Sequence, residues 1–244
     1  MSFSTKNIEE YLGKSRVAIT NALELTDIKE RLANYGYDDT RLQEGMKIYE
    51  ETFRLLNDFK AIHADQIGIT KKLNSKLKKA YNTYMDYAKM ARFAVKDDIG
   101  LIKLLQLDGR RLQRQEGWTG QAIRFYQEAL KNEDILQKLG VYAITKEKLE
   151  AGLALVNEAL SLDSKQENIK GSAQQLLTER DKSFKKHRQW MNPFRQACRI
   201  EFKDDPQNLE RLKIDALSDG YVRKKKKKKD DNESKTEETE THTE

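Results

Sequence analysis

The chain has 244 residues, 35% charged and 37% hydrophobic, with a net charge of +6, one cysteine and a mean hydropathy of −0.87. No stretch approaches the roughly 20 apolar residues that a membrane-spanning helix needs. Cys198 has no second cysteine for a disulfide or a multi-cysteine metal site, and the opening MSFSTKNIEEYL lacks the apolar centre of a secretory signal. The expectation is a soluble, cytoplasmic protein.

The first predicted helix covers about 6–34 and is expected to break around Thr26, with Asp27 in the first turn of a shorter second segment that ends at the Tyr35-Gly36 turn. A long helix follows from about Thr40 to Lys96, with no proline inside it. Its apolar positions step by three and four: Leu42, Met46, Tyr49, Phe53 and Leu56, then Ile67, Leu77, Tyr81, Tyr84, Ala88, Ala91 and Val95. At 1.5 Å per residue such a coiled-coil-like helix spans roughly 80 Å, which predicts an elongated molecule. Polar Lys60, His63, Thr70 and Asn74 interrupt the seam midway. Lys96-Asp97-Asp98 closes the helix, and Asp98 is placed to cap a short helix after it, since a carboxylate accepts bonds from first-turn N–H groups.

The second half repeats this order. Residues 11–108 align without a gap on 118–215, and twenty pairs are identical, among them Gly13/Gly120, Asp27/Asp134, Gly45/Gly152, Arg92/Arg199 and Asp98/Asp205. A helix over 118–140 is predicted to break around Asn132 and to end near Gly140. A second long helix then carries Leu149, Leu153, Val156, Leu160, Leu177, Phe184, Met191, Cys198 and Phe202, with a polar centre at Asp163 to Asn168. Pro193 is expected to kink or break it near Asn192, because proline removes an intrahelical donor. Asp205-Pro206 opens the last short helix, with proline at the first helical position. The expected fold is all-α, a bundle of two pseudo-symmetric three-helix repeats, 1–110 and 111–222, followed by a disordered tail, 223–244.

The pattern Ala-Leu-x3-Asp-Ile-x3-Leu, a Leu-x2-Gly helix start, Trp190-Met191-x2-Phe194-x3-Cys198-Arg199, and Asp205-Pro206-Gln207-x-Leu209-Glu210-x-Leu212 resembles a family of all-helical bacterial and archaeal proteins built of two repeats. The resemblance covers about 11–215. It implies the fold and a prokaryotic source, and carries over no activity or site residue. The chain departs from that pattern at Pro193, where an acidic residue is usual, and in its lysine block.

Candidate chemistry is sparse. Di-iron bundles need Glu-x-x-His pairs, and neither His63 nor His187 has a glutamate three residues before it. His187 and Cys198 lie eleven residues apart, about 16 Å along one helix, too far for a nucleophile–base pair. Neither a phosphate loop nor a nucleophile elbow is present. No catalytic, cofactor or metal residue is therefore assigned, and no enzyme is expected. Arg92, Asp98, Arg199 and Asp205 read as helix-junction residues, with paired ligand sites as the alternative. Gly45 and Gly152, unfavourable inside helices, read as close helix crossings.

Lys224, Lys225, Lys226, Lys227, Lys228 and Lys229 form a basic block followed at once by Asp230 and Asp231. It reads as a solvated tail, or as a contact for an anionic membrane or for nucleic acid. The functional expectation is a scaffold or adaptor that binds protein partners and self-associates as a homo-oligomer. A membrane-interacting, pore-former-like bundle and a nucleic-acid-associated protein are the alternatives.

Overall fold

The computed structural model describes residues 3–215, and within them the chain is all-α. The helices are α1 (Thr5–Glu24), α2 (Thr26–Ala33), α3 (Asp39–Ala94), α4 (Ile99–Leu104), α5 (Gln115–Lys131), α6 (Glu133–Gly140), α7 (Lys146–Glu201) and α8 (Pro206–Arg211). α3 and α7 are each 56 residues long, and the bounds of α2 and α6, α3 and α7, and α4 and α8 are shifted by the same 107 residues. Among the described residues no helix is long and apolar enough to cross a membrane.

Two compact units form. In the described chain unit one comprises 3–58 and 176–215, and unit two comprises 59–175, so each draws on both halves of the sequence. In unit one, α1 buries Ile8, Leu12, Ser15, Ile19 and Ala22, spaced by three and four, and its apolar members pack with Phe184, Met191, Phe194 and Cys198 of α7 and with Phe202 just past its end. Here α3 and α7 run antiparallel: Thr52 Oγ1 lies 2.8 Å from Ser183 Oγ, and further along the pair Gly45 faces Trp190. Unit two repeats the plan with α5 and α6, whose Trp118, Ala122, Phe125, Ala129, Ile135 and Leu139 pack with Ala80, Tyr84, Ala88 and Ala91 of α3. Within it α3 and α7 are again antiparallel, joined by Gln166 Nε2 donating to Thr70 Oγ1 at 3.0 Å and by Lys76–Glu158 at 2.6 Å.

The breaks between short helices have local causes. Leu25 is extended, and its carbonyl accepts from Ile28 and Lys29 to start α2. Asn132 is extended too, and its side chain accepts from the Ile135 N–H at 3.3 Å. α2 ends in a left-handed turn at Gly36, φ +76°, with the Tyr37 N–H returning to Leu32 O. After α6 the same turn is made by Ala143 at φ +58°, with Ile144 N–H returning to Leu139 O. An alanine there bears a steric cost of roughly 1–2 kcal/mol that glycine avoids. Ala143→Gly is therefore expected to stabilise the protein by about 0.5–1 kcal/mol after the entropy of glycine is subtracted, and Gly36→Ala to destabilise it by about 1 kcal/mol. Urea denaturation checks both, and an Ala143→Gly midpoint at or below that of the wild type contradicts the reading.

Two expectations are corrected. The break that was one of the two outcomes expected at Pro193 does not occur, since α7 is helical on both sides of it. Gln189, whose carbonyl would have accepted the missing N–H, and Pro193 itself are solvent-exposed residues, so the bond is lost on the face turned to solvent while Met191 and Phe194 are buried on the other. Of the predicted seam, Phe53 and Ile67 are exposed, at 45% and 47%. Thr52 takes the buried place beside Phe53, its hydroxyl donating to Ile48 O at 2.8 Å as well as meeting Ser183. Both glycines lie under aromatic rings: a Cβ on Gly45 would run into the Trp190 indole, and one on Gly152 would stand 2.6 Å from the Tyr126 ring.

Candidate functional site

Asp98 caps α4 by accepting from the Leu101 N–H at 3.0 Å. Asp205 caps α8 and accepts three times, from the Asn208 N–H at 3.4 Å, from Asn208 Nδ2 at 2.7 Å and from Arg31 Nη1 at 3.3 Å. Arg92 and Arg199, 107 positions apart, each hold the chain that leaves a short helix. Arg92 donates from Nε to Leu107 O at 2.7 Å and from Nη2 to Gly109 O at 3.1 Å, while Arg199 donates from Nε to Asp215 O at 3.1 Å. Their hydrogen bonds run to backbone carbonyls, which is how a guanidinium fork fixes a turn. In unit one a second arginine reinforces the junction: Arg31 reaches Glu201 at 2.6 Å and lies 4.5 Å over the Phe202 ring. Lys224 to Lys229 lie outside the described residues.

The groups that could do chemistry are sealed in. Burial pushes the Cys198 thiol up to about 12, so the reactive thiolate is scarce near neutral pH. His187 is fully buried between Tyr11 and Tyr49, with neither ring nitrogen hydrogen-bonded among the described residues, and burial followed by the nearby Arg195 charge lowers its pKa to about 4. It is a neutral ring at physiological pH. His63 is exposed and tilts against Phe59. Among the described residues no group of three His, Cys, Asp or Glu side chains could hold a metal.

Two surface features were not singled out by the sequence pattern. In unit two large apolar side chains face solvent: Phe93 at 63% and Ile99 at 70% on either side of Asp98 in sequence, and Val141 at 80% after α6, with Tyr142 next to it. Lys138, one turn before Val141, is raised in pKa by its hydrogen bond to Asp134 and, to a lesser degree, by the Asp98 charge. In unit one a cleft of 230 Å³ opens between α1, the end of α7 and the chain after α8, with Tyr11, Lys14, Arg195, Arg199 and Lys213 on its walls. The only sequence signal for either was an apolar or basic residue off the seam, which is common on any helix surface. The chain matches no protein-family model, no curated protein and no solved structure.

Proposed function

We propose that the chain is a tandem duplication of a three-helix unit, counting the broken first helix as one, and that it acts as a non-catalytic scaffold or adaptor through protein–protein contacts, including contacts with further copies of itself. The common shift of 107 residues in three pairs of helix bounds supports the duplication, as do the left-handed positions Gly36 and Ala143, Gln106 and Lys213. The observation that carries the binding role is the exposed apolar group Phe93, Ile99 and Val141. Single exposed apolar residues are ordinary, but several large ones in one unit offer the dry centre that an interface needs. Lys138 and Asp134, paired at 2.6 Å, supply a polar rim.

Sedimentation velocity of the wild type and of the Ile99→Asp/Val141→Asp double variant tests this. The wild type is expected to sediment above its 28.5 kDa monomer mass. The variant is expected to sediment as a monomer with unchanged helicity, because both substitutions sit on the surface. A wild type that stays monomeric and retains no protein partner at about 0.5 M salt, where charge contacts are screened, would overturn the proposal.

A further inference from the structure

The cleft of unit one carries an unbalanced charge. Lys14, Arg195, Arg199 and Lys213 line it against two carboxylates, Glu10 and Asp215, and Glu10 is already paired with Lys14 at 3.4 Å. Arg195 lies 4.3 Å over the Tyr11 ring, and no carboxylate or carbonyl among the described residues pairs with it. A guanidinium stacked on a ring is held in plane with its N–H edges free for a planar or tetrahedral oxyanion. Lys213 stands on a left-handed turn at φ +51° and likewise has no ion partner among the described residues.

The positions 107 residues away show what the same place looks like without that charge. In unit two Lys14 is matched by Gln121, Arg195 by Ala88 and Lys213 by Gln106. The space there is covered: Leu112 lies 2.9 Å from where a Cβ on Gly117 would stand, and its N–H donates to Gln121 Oε1 at 3.2 Å. At three matched positions unit one thus carries a cation, Lys14, Arg195 and Lys213, where unit two carries a neutral side chain. Bringing like charges together costs free energy unless an anion balances them.

We infer that the cleft of unit one is a binding site for a phosphate-class oxyanion, free or as the phosphate group of a small molecule, held by the Arg195 fork with Lys14 and Lys213. Arg199 keeps its bond to Asp215 O and lends its remaining N–H groups. The apolar wall from Tyr11 and Ile214 leaves room for a small substituent behind the phosphate.

Titration calorimetry of the full chain with inorganic pyrophosphate, and separately with inorganic phosphate, tests the site. Three variants accompany the wild type: Arg195→Gln, Lys213→Gln, and one with Lys224 to Lys229 all changed to glutamine. Loss of a charge-assisted bidentate contact weakens binding by about tenfold or more. The site requires that loss in Arg195→Gln and a smaller one in Lys213→Gln, with the affinity of the tail variant kept. Lys213 is exposed, so its substitution leaves the fold intact and keeps the test valid should Arg195→Gln lower the melting temperature. A preference for pyrophosphate over phosphate points to a ligand with an extended phosphate group, and equal affinity to a free oxyanion. No heat from either anion, an unchanged affinity in both cleft variants, or loss in the tail variant alone overturns the assignment.

Discussion

Acidification from pH 7 to pH 4 is expected to remove about 3 kcal/mol of stability through His187 alone. The ring is fully buried, its pKa falls from 6.5 to about 4 in the folded protein, and both nitrogens lack a hydrogen-bond partner among the described residues. Below pH 6.5 the unfolded chain takes up a proton on this residue and the folded one does not, so stability declines as pH falls through the interval and levels off below about 4, at 1.36 kcal/mol per pKa unit. What faces the ring explains why it stays neutral. Tyr11 and Tyr49 present aromatic surfaces at 6.0 and 6.2 Å between centroids, and the nearby charge of Arg195 is positive. His187→Phe removes two unpaired buried polar atoms while keeping most of the volume, so it is expected to stabilise the protein by about 1–2 kcal/mol at pH 7. Its advantage over the wild type should widen as pH falls. Urea melts of both proteins at pH 7, 5.5 and 4 measure that difference, in which the carboxylates common to both cancel. A constant gap between the two curves would show that His187 titrates normally in the folded state.

The second large effect is expected at Phe194. Its ring is fully buried, stacks on Trp190 with centroids 5.3 Å apart and meets Tyr37 edge-on at 5.1 Å. Trp190 is in turn the ring that fills the space over Gly45, so α3 and α7 of unit one approach each other through this aromatic group. Phe194→Ala is expected to cost about 3–5 kcal/mol, the range for deleting a buried phenylalanine where neighbours collapse only partly into the cavity. Phe93→Ala, at a residue 63% exposed, is the matched control and should change stability by less than about 0.5 kcal/mol. Similar losses in the two variants, read by thermal or urea denaturation, would contradict the burial that separates them.

Those two phenylalanines also mark the limit of reading the sequence. The long-helix reading of 40–96 stands within two residues of the observed α3 at each end, and the interruption near Thr26 recurs as the Leu25 break. Both features are set by the neighbouring residues: apolar spacing by three and four, the absence of proline, and carboxylates such as Asp98 standing three residues before the N–H they accept from. The seam itself was legible only on average. A 3.5-residue period places Phe53 inside, yet the adjacent Thr52 is buried in its stead, because a small hydroxyl that satisfies itself on Ile48 O and Ser183 fits where the helices run close. Phe53 turns outward and stacks on Tyr49, one turn earlier, at 5.8 Å. Arg180, which no apolar spacing marks, is 1% exposed, paired with Asp181 at 2.6 Å and donating to Phe3 O at 2.9 Å just before α1. Nothing in the spacing of a charged residue announces a carbonyl 177 positions away.

The sequence by itself determined that the chain is helical, where its helices start and stop, and that no familiar catalytic motif is written into it. These follow from hydrogen bonds and contacts between residues a few positions apart, which composition and spacing control directly. The tertiary structure decided which end of each long helix belongs to which unit, that His187 is sealed among tyrosines, and that Arg195 sits over Tyr11 beside Lys14 and Lys213. Each of these joins residues from opposite ends of the chain, and such pairings are set by how the apolar faces of separate helices fit together, a property of shape that no local pattern contains.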